Sequence, residues 1–158
     1  PGRGMPLGNL TSQFFANVYL NELDYFVKHT LRARYYIRYV DDFVILDSSM
    51  DRLASWGGGG AIDFFLKNNL KLELHKDKTK IIPLSQGIDF VGFRNFYYFR
   101  LLRKRNIKKI LHHIEDYGKG RIDNNKIKEV LQGWIAYANW ANSYNLKDKI
   151  INLFFSVA

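Results

Sequence analysis

One run of the sequence limits the possible folds more than any other. Tyr35-Tyr36-Ile37-Arg38-Tyr39-Val40-Asp41-Asp42-Phe43-Val44-Ile45-Leu46 is twelve residues rich in aromatic and β-branched side chains and free of glycine and proline. Such residues suit a pleated, half-buried strand. Twelve is about double the usual ~5–6 residues of a strand, so the run predicts two strands folded on a turn near Val40-Asp41. Neither residue is the Asn-Gly or Gly-X that tight hairpin turns favour, and a local rule broken in this way is more often found at a functional site than elsewhere. Two adjacent carboxylates in so apolar a setting need solvent, a basic partner or cations. An isolated Asp-Asp pair is usually an exposed turn; on a rigid hairpin tip it is also what a hard divalent cation such as Mg²⁺ requires.

Around this run the chain alternates helical and extended patterns, which predicts an α+β protein. Pro6 to Ser12 is turn-rich, and the recurrence of Phe14, Phe15, Val18, Tyr19, Leu23, Phe26 and Val27 predicts a helix from about Thr11 to Lys28, with Thr11 or Ser12 as N-cap. Gly57 to Gly60 interrupts a second helical pattern and reads as a flexible joint or a splice; no Lys-Ser/Thr follows it, against a phosphate loop. Leu70 to Leu74 alternates and predicts a strand, followed by a basic turn at Lys76-Asp77-Lys78-Thr79-Lys80. Asp89–Phe93 and Tyr97–Leu101 predict a second hairpin. From Ile107 onward two apolar stripes (Ile107, Ile110, Leu111, Ile114; then Ile127, Val130, Leu131, Trp134, Ile135, Ala138) and a last helix near Leu146–Phe155 predict a three-helix bundle. Trp134, Tyr137 and Trp140 are expected in its core, and the adjacent His112 and His113 face different ways and share no metal.

Charge points to a polyanionic partner. The 24 basic and 15 acidic side chains leave +9, and residues 1–93 hold 11 basic and 10 acidic groups against 13 and 5 in residues 94–158. A lysine-rich solvated face would look the same by composition alone. The absence of cysteine excludes a disulfide framework and a thiolate zinc site, and no apolar run reaches the ~18–20 residues of a membrane span. The expectation is a soluble, cytoplasmic protein without a membrane partner. The start at Pro1-Gly2-Arg3-Gly4, without methionine, suggests a piece of something longer.

Tyr39-Val40-Asp41-Asp42, with Tyr36-Ile37-Arg38 before it and Phe43 to Leu46 after, resembles the catalytic hairpin of reverse transcriptases, and four further blocks lie in that family's order. Gly4 to Asn17 is similar to the palm's loop-and-helix block, Leu72 to Lys80 to the lysine-bearing block, Gly87 to Phe93 to the primer grip, and residues after about 103 to the thumb. Within the family, Leu7-Gly8-Asn9-Leu10-Thr11-Ser12-Gln13 replaces the Gln-Gly-x-x-x-Ser-Pro of group II intron and retron relatives and is similar to the variant of diversity-generating retroelements. The resemblance implies a partial polymerase palm over residues 1–102, an antiparallel sheet with packing helices, followed by a helical thumb over 103–158. It also implies a prokaryotic or phage setting, an RNA template, a DNA primer, deoxynucleoside triphosphates and a small accessory protein.

Its site residues carry over position by position. Asp41 and Asp42 would ligate the Mg²⁺ of a two-metal site, and Lys78, with Lys80 as understudy, would neutralise or protonate the leaving pyrophosphate, against the alternative of a solvated basic turn. Gly8, Ser12, Gln13 and Tyr39 would border template or nucleotide; Phe90, Val91 and Gly92 would press on the primer terminus; Lys104, Arg105, Lys108 and Lys109 would meet phosphates. A further palm aspartate and the triphosphate-gripping fingers have no counterpart in these residues, and Asp24 matches the helix block rather than the missing one. The isolated chain is therefore expected to be inactive, with an exposed sheet edge that favours self-association. Two rival readings stand: a non-catalytic nucleic-acid-binding module from a degenerate retroelement, and a purely structural role.

Overall fold

The computed structural model describes residues 10–157 and is a mixed α+β protein with two small antiparallel sheets. It divides into two compact units, Pro1–Ile82 and Pro83–Ala158. The division is one of packing and falls earlier in the chain than the 102/103 boundary drawn from the family resemblance. No helix among the described residues is long and apolar enough to cross a membrane.

In the first unit, α1 (Leu10–Tyr25) runs on into a π-helical turn over Phe26–Thr30. Thr11 and Ser12 thus lie inside the first turn of the helix and not at its N-cap. Only the C-terminal half of the predicted stripe reaches the core: Leu23 and Val27 are buried and Phe26 stacks on Phe65 at 4.2 Å, whereas Phe14, Phe15 and Val18 are more than half exposed. The predicted hairpin forms as β1 (Tyr35–Tyr39) and β2 (Asp42–Leu46), antiparallel, with Tyr39 opposite Asp42 and Val40-Asp41 as the connecting turn. Successive side chains on a strand face opposite ways. Tyr36, Phe43 and Ile45 accordingly pack against the core of Leu23, Val27, Trp56, Ile62, Leu66 and Leu70, while Tyr35, Ile37 and Tyr39 remain exposed on the other face.

α2 (Met50–Trp56) is capped by the Ser49 side chain, which accepts from the Arg52 amide, and α3 (Ala61–Phe65) continues as a π-helical turn over Leu66–Leu70. The glycine run between them contains a hydrogen-bonded turn, Gly60 N–H donating to the Gly57 carbonyl at 2.8 Å. A Cβ built on Gly60 would stand 2.2 Å from the Ser55 carbonyl oxygen. Gly60→Ala is therefore expected to destabilise the first unit by about 2 kcal/mol, read as a lowered denaturation midpoint. The strand predicted over Leu70–Leu74 does not form. Leu70 ends a helical turn, Lys71 takes a left-handed φ of 53°, and the alternating residues that follow find no neighbouring strand to pair with.

In the second unit, β3 (Ile88–Phe90), β4 (Phe93–Asn95) and β5 (Arg100–Leu102) form a three-stranded meander rather than the predicted two-stranded hairpin, because Val91-Gly92 turns the chain inside the segment read as one strand. The expected bundle follows as α4 (Lys104–Gly118), α5 (Asn124–Ala138) and α6 (Tyr144–Val157). Ile110, Ile114, Ile127, Leu131 and Ile150 form its centre, and Phe93, Leu102 and Ala138 join sheet to helices. Leu111 and Trp140 depart from expectation: the first is 38% exposed and the second 67%. Trp134 and Tyr137 are half-buried against the core, as read from the sequence.

Candidate active site at the hairpin tip

The tip of the β1–β2 hairpin has a backbone that its sequence resists. With Tyr39 paired to Asp42, the turn has two residues, and its first, Val40, has φ 55°. A left-handed conformation costs a residue with a Cβ about 1–2 kcal/mol, and a β-branched one is least suited to it. Asp41 closes the turn and Asp42 opens β2; both are exposed, and among the described residues neither takes part in an ion pair. Asp42 lies on the face of Tyr39, Ile37 and Tyr35, away from the core.

Arg38, three residues before Asp41 in the chain, is committed elsewhere. Arg38 shares the inner face with Tyr36 and Phe43, and its side chain is only 10% exposed. Its guanidinium grips the Asp24 carboxylate of α1 with Nε at 2.8 Å and Nη2 at 2.6 Å, while Nη1 donates to Asn17 Oδ1 at 2.9 Å and to the Val40 carbonyl at 2.7 Å. The Tyr36 hydroxyl donates to Asp24 Oδ1 at 2.6 Å. Burial pushes the Asp24 carboxyl up, but the hydrogen bonds from Arg38 and Tyr36 and the charge of Arg38 outweigh it and hold the group below its ordinary value. Burial, reinforced by Asp24, raises the Tyr36 phenol well above its usual range, so it stays a donor. A charge-assisted hydrogen bond contributes about 1.5–3 kcal/mol, enough to offset the strain at Val40.

The sequence reading did not find this network. Its one signal was an arginine at a position whose alternation turns it inward, which demands a buried partner; an aspartate on a helix does not by itself announce that it is the one.

Gly8 lies outside the described residues. Ser12 is half-buried and Gln13 exposed in the first turns of α1, with Gln13 one turn before Asn17 on the same helix face. Tyr39 is exposed beside the tip. Lys78 is exposed in a turn closed by the Lys78 and Thr79 amides on the His75 carbonyl, and no ion pair or hydrogen bond ties it to the hairpin among the described residues. A shallow cavity of about 280 Å³ borders the hairpin at its other end, lined by Arg34, Tyr35, Tyr36, Ile37, Val44 and Leu46. At the tip, Asp41 and Asp42 are exposed among the described residues. Among the described residues no group of three or more Asp, Glu or His is placed to hold a metal ion, so Asp41 and Asp42 form at most a two-carboxylate site.

In the second unit the β3–β4 turn repeats the anomaly of the first: Val91 has φ 48° and Gly92 φ 83°, the two positive values of a type I′ turn. Phe90 is half-buried and Val91 exposed. The Tyr137 hydroxyl donates to the Gly92 carbonyl at 2.9 Å and accepts from Asn106 Nδ2 at 3.1 Å, and a Cβ on Gly92 would stand 2.4 Å from that hydroxyl. Gly92→Ala is expected to cost about 2 kcal/mol and to free the Tyr137 hydroxyl, which thermal unfolding and the Tyr137 ring signals would show. Lys104, Arg105, Lys108 and Lys109 are all exposed on α4, and none is ion-paired among the described residues. They sit one turn apart in two like-charged pairs at the positive end of a helix with no acid in its first turn. Both arrangements oppose helix stability by a few tenths of a kcal/mol each, which an anionic partner would relieve.

No protein-family model matches the chain, and no curated protein matches it.

Proposed function

We propose that this chain is the palm-and-thumb portion of an RNA-directed DNA polymerase of the diversity-generating retroelement type. The observation that supports this reading most is the hairpin tip, where Asp41 in a strained two-residue turn and Asp42 at the start of β2 are both exposed and, among the described residues, free of ion pairs. Asp41 and Asp42 are the residues that would hold Mg²⁺, which when bound stabilises charge on the attacking and leaving oxygens of a phosphoryl transfer. Two carboxylates plus substrate phosphates are a usual set for Mg²⁺, so the residues fit the ion in part. The further palm aspartate that the resemblance implies has no counterpart in these 158 residues, so the chain alone is not expected to extend a primer.

Of the chain's own groups, Lys78 would stand by the pyrophosphate, the Val91-Gly92 turn by the primer, and the α4 cations along the phosphate backbone. The test is primer extension on an RNA template by the chain joined to a segment that supplies the missing aspartate and fingers, compared with its Asp41→Asn variant.

The α4 cluster also favours a second reading, a nucleic-acid-binding module without catalysis. Replacing Lys104, Arg105, Lys108 and Lys109 by glutamine is expected to flatten the salt dependence of RNA binding by about 3 in the slope of log K against log salt, with the helix intact or slightly more stable. The polymerase reading requires, in addition, that Asp41→Asn abolish extension; the module reading requires that it change nothing.

A further inference from the structure

Arg38 makes one hydrogen bond that holding α1 against the hairpin does not require. The grip on Asp24 joins helix to strand, and an apolar pair of similar volume would serve that junction as well or better. A hydrocarbon, however, offers no donor to the Val40 carbonyl, which Arg38 Nη1 reaches at 2.7 Å. That carbonyl belongs to the residue with φ 55°, immediately before Asp41. The guanidinium is itself fixed from two other sides, by Asp24 through Nε and Nη2 and by Asn17 through Nη1. A planar fork with every arm engaged transmits the position of α1 to the turn with little play.

We infer that Arg38 is a positioning residue for the Asp41-Asp42 pair: anchored by Asp24 and Asn17, it holds the Val40 carbonyl and so keeps the turn in the left-handed form that carries the two carboxylates. What that pair does rests on the proposed function; that Arg38 sets its geometry does not.

The test uses the chain as it exists, by NMR. Arg38→Lys keeps the charge but not the fork, and Asp24→Asn, nearly isosteric, loosens the guanidinium from the helix side. The readouts are the Val40 backbone chemical shifts, which report φ, hydrogen exchange at the Asp42 amide, and broadening of the Asp41 and Asp42 amides by Mn²⁺. Signals of Leu23, Val27 and Ile62 report the core. In both variants the core signals should persist while the Val40 shifts leave the left-handed range, Asp42 exchange quickens about tenfold and the Mn²⁺ midpoint rises about fivefold, as loss of a charge-assisted bond requires.

Unchanged Val40 shifts with exchange and Mn²⁺ midpoint within about twofold of the parent, given a bond of that strength, overturn the inference. Collapse of the core in both variants overturns it too, since Arg38 would then serve only the fold. If Mn²⁺ leaves the parent's Asp41 and Asp42 amides sharp, or broadens them equally after Asp41→Asn, the metal-binding reading fails, and the Val40 shifts and Asp42 exchange still decide the role of Arg38.

Discussion

Asp41→Asn is expected to lower primer extension by about 10³-fold in a chain completed with the missing palm aspartate and fingers. Stabilisation of developing charge by a carboxylate-held metal amounts to several kcal/mol, and about 4 kcal/mol at ~1.36 kcal/mol per decade is three decades. Asparagine keeps the size and one acceptor oxygen of aspartate but not the charge. Asp41 is exposed and has no ion pair among the described residues, so the fold should be indifferent to the change, with a denaturation midpoint equal to the parent's or slightly higher as repulsion from Asp42 is relieved. Loss of extension with an unchanged midpoint isolates the chemistry. An Asp41→Asn enzyme working within about tenfold of the parent would mean that this carboxylate does not carry the metal.

The largest expected effect on stability belongs to Asp24→Ala, at about 3 kcal/mol. It would leave Arg38, 10% exposed, charged and without its counter-ion, and would strip the Tyr36 hydroxyl of its acceptor. Breaking one half of a buried pair costs about 3–5 kcal/mol; the 29% exposure of the Asp24 side chain argues for the lower end. Replacing both Asp24 and Arg38 by leucine should recover part of that loss, because no buried charge is then left over although the Tyr36 hydroxyl and the Val40 carbonyl still lack their partners.

The same pair sets a pH dependence. The Asp24 carboxyl is held below its ordinary value of 3.8, so its contribution to stability is complete above that pH and is lost as pH falls toward the lowered native value. Tyr36 acts at the other limit: its phenol is raised, so stability declines as pH rises above the ordinary 10.0 and the unfolded chain ionises first. Denaturant titrations across pH 2–5, about the carboxylate range, should show an acid limb in the parent that is flattened in Asp24→Asn. An identical limb in both would show that Asp24 is not the group responsible.

The hairpin was legible because its signals are local. β-Branched and aromatic residues, strand length and the doublet of acids placed the turn at Val40-Asp41, where it lies. The helical bundle was legible for the same reason, since the stripe of Ile110, Ile114, Ile127 and Leu131 is a property of spacing alone. Reading failed where a pattern needed a partner that local sequence does not name. Leu70–Leu74 alternates correctly yet has no strand to pair with, and Val91-Gly92 turns a segment that composition alone reads as continuous. Trp140 follows the apolar stripe of α5 by only two residues and still lies outside the core, because the helix has ended at Ala138.

Residue types and their order thus determined by themselves where the first hairpin bends, that the C-terminal segments wind into helices and that two adjacent acids stand at the hairpin tip, all consequences of short-range sterics and side-chain periodicity. Tertiary structure decided what the inward-facing Arg38 is for. An arginine on the core side of a strand demands a counter-charge, and which acid supplies it depends on how α1 lies against the hairpin, a matter of packing between segments that no local pattern encodes.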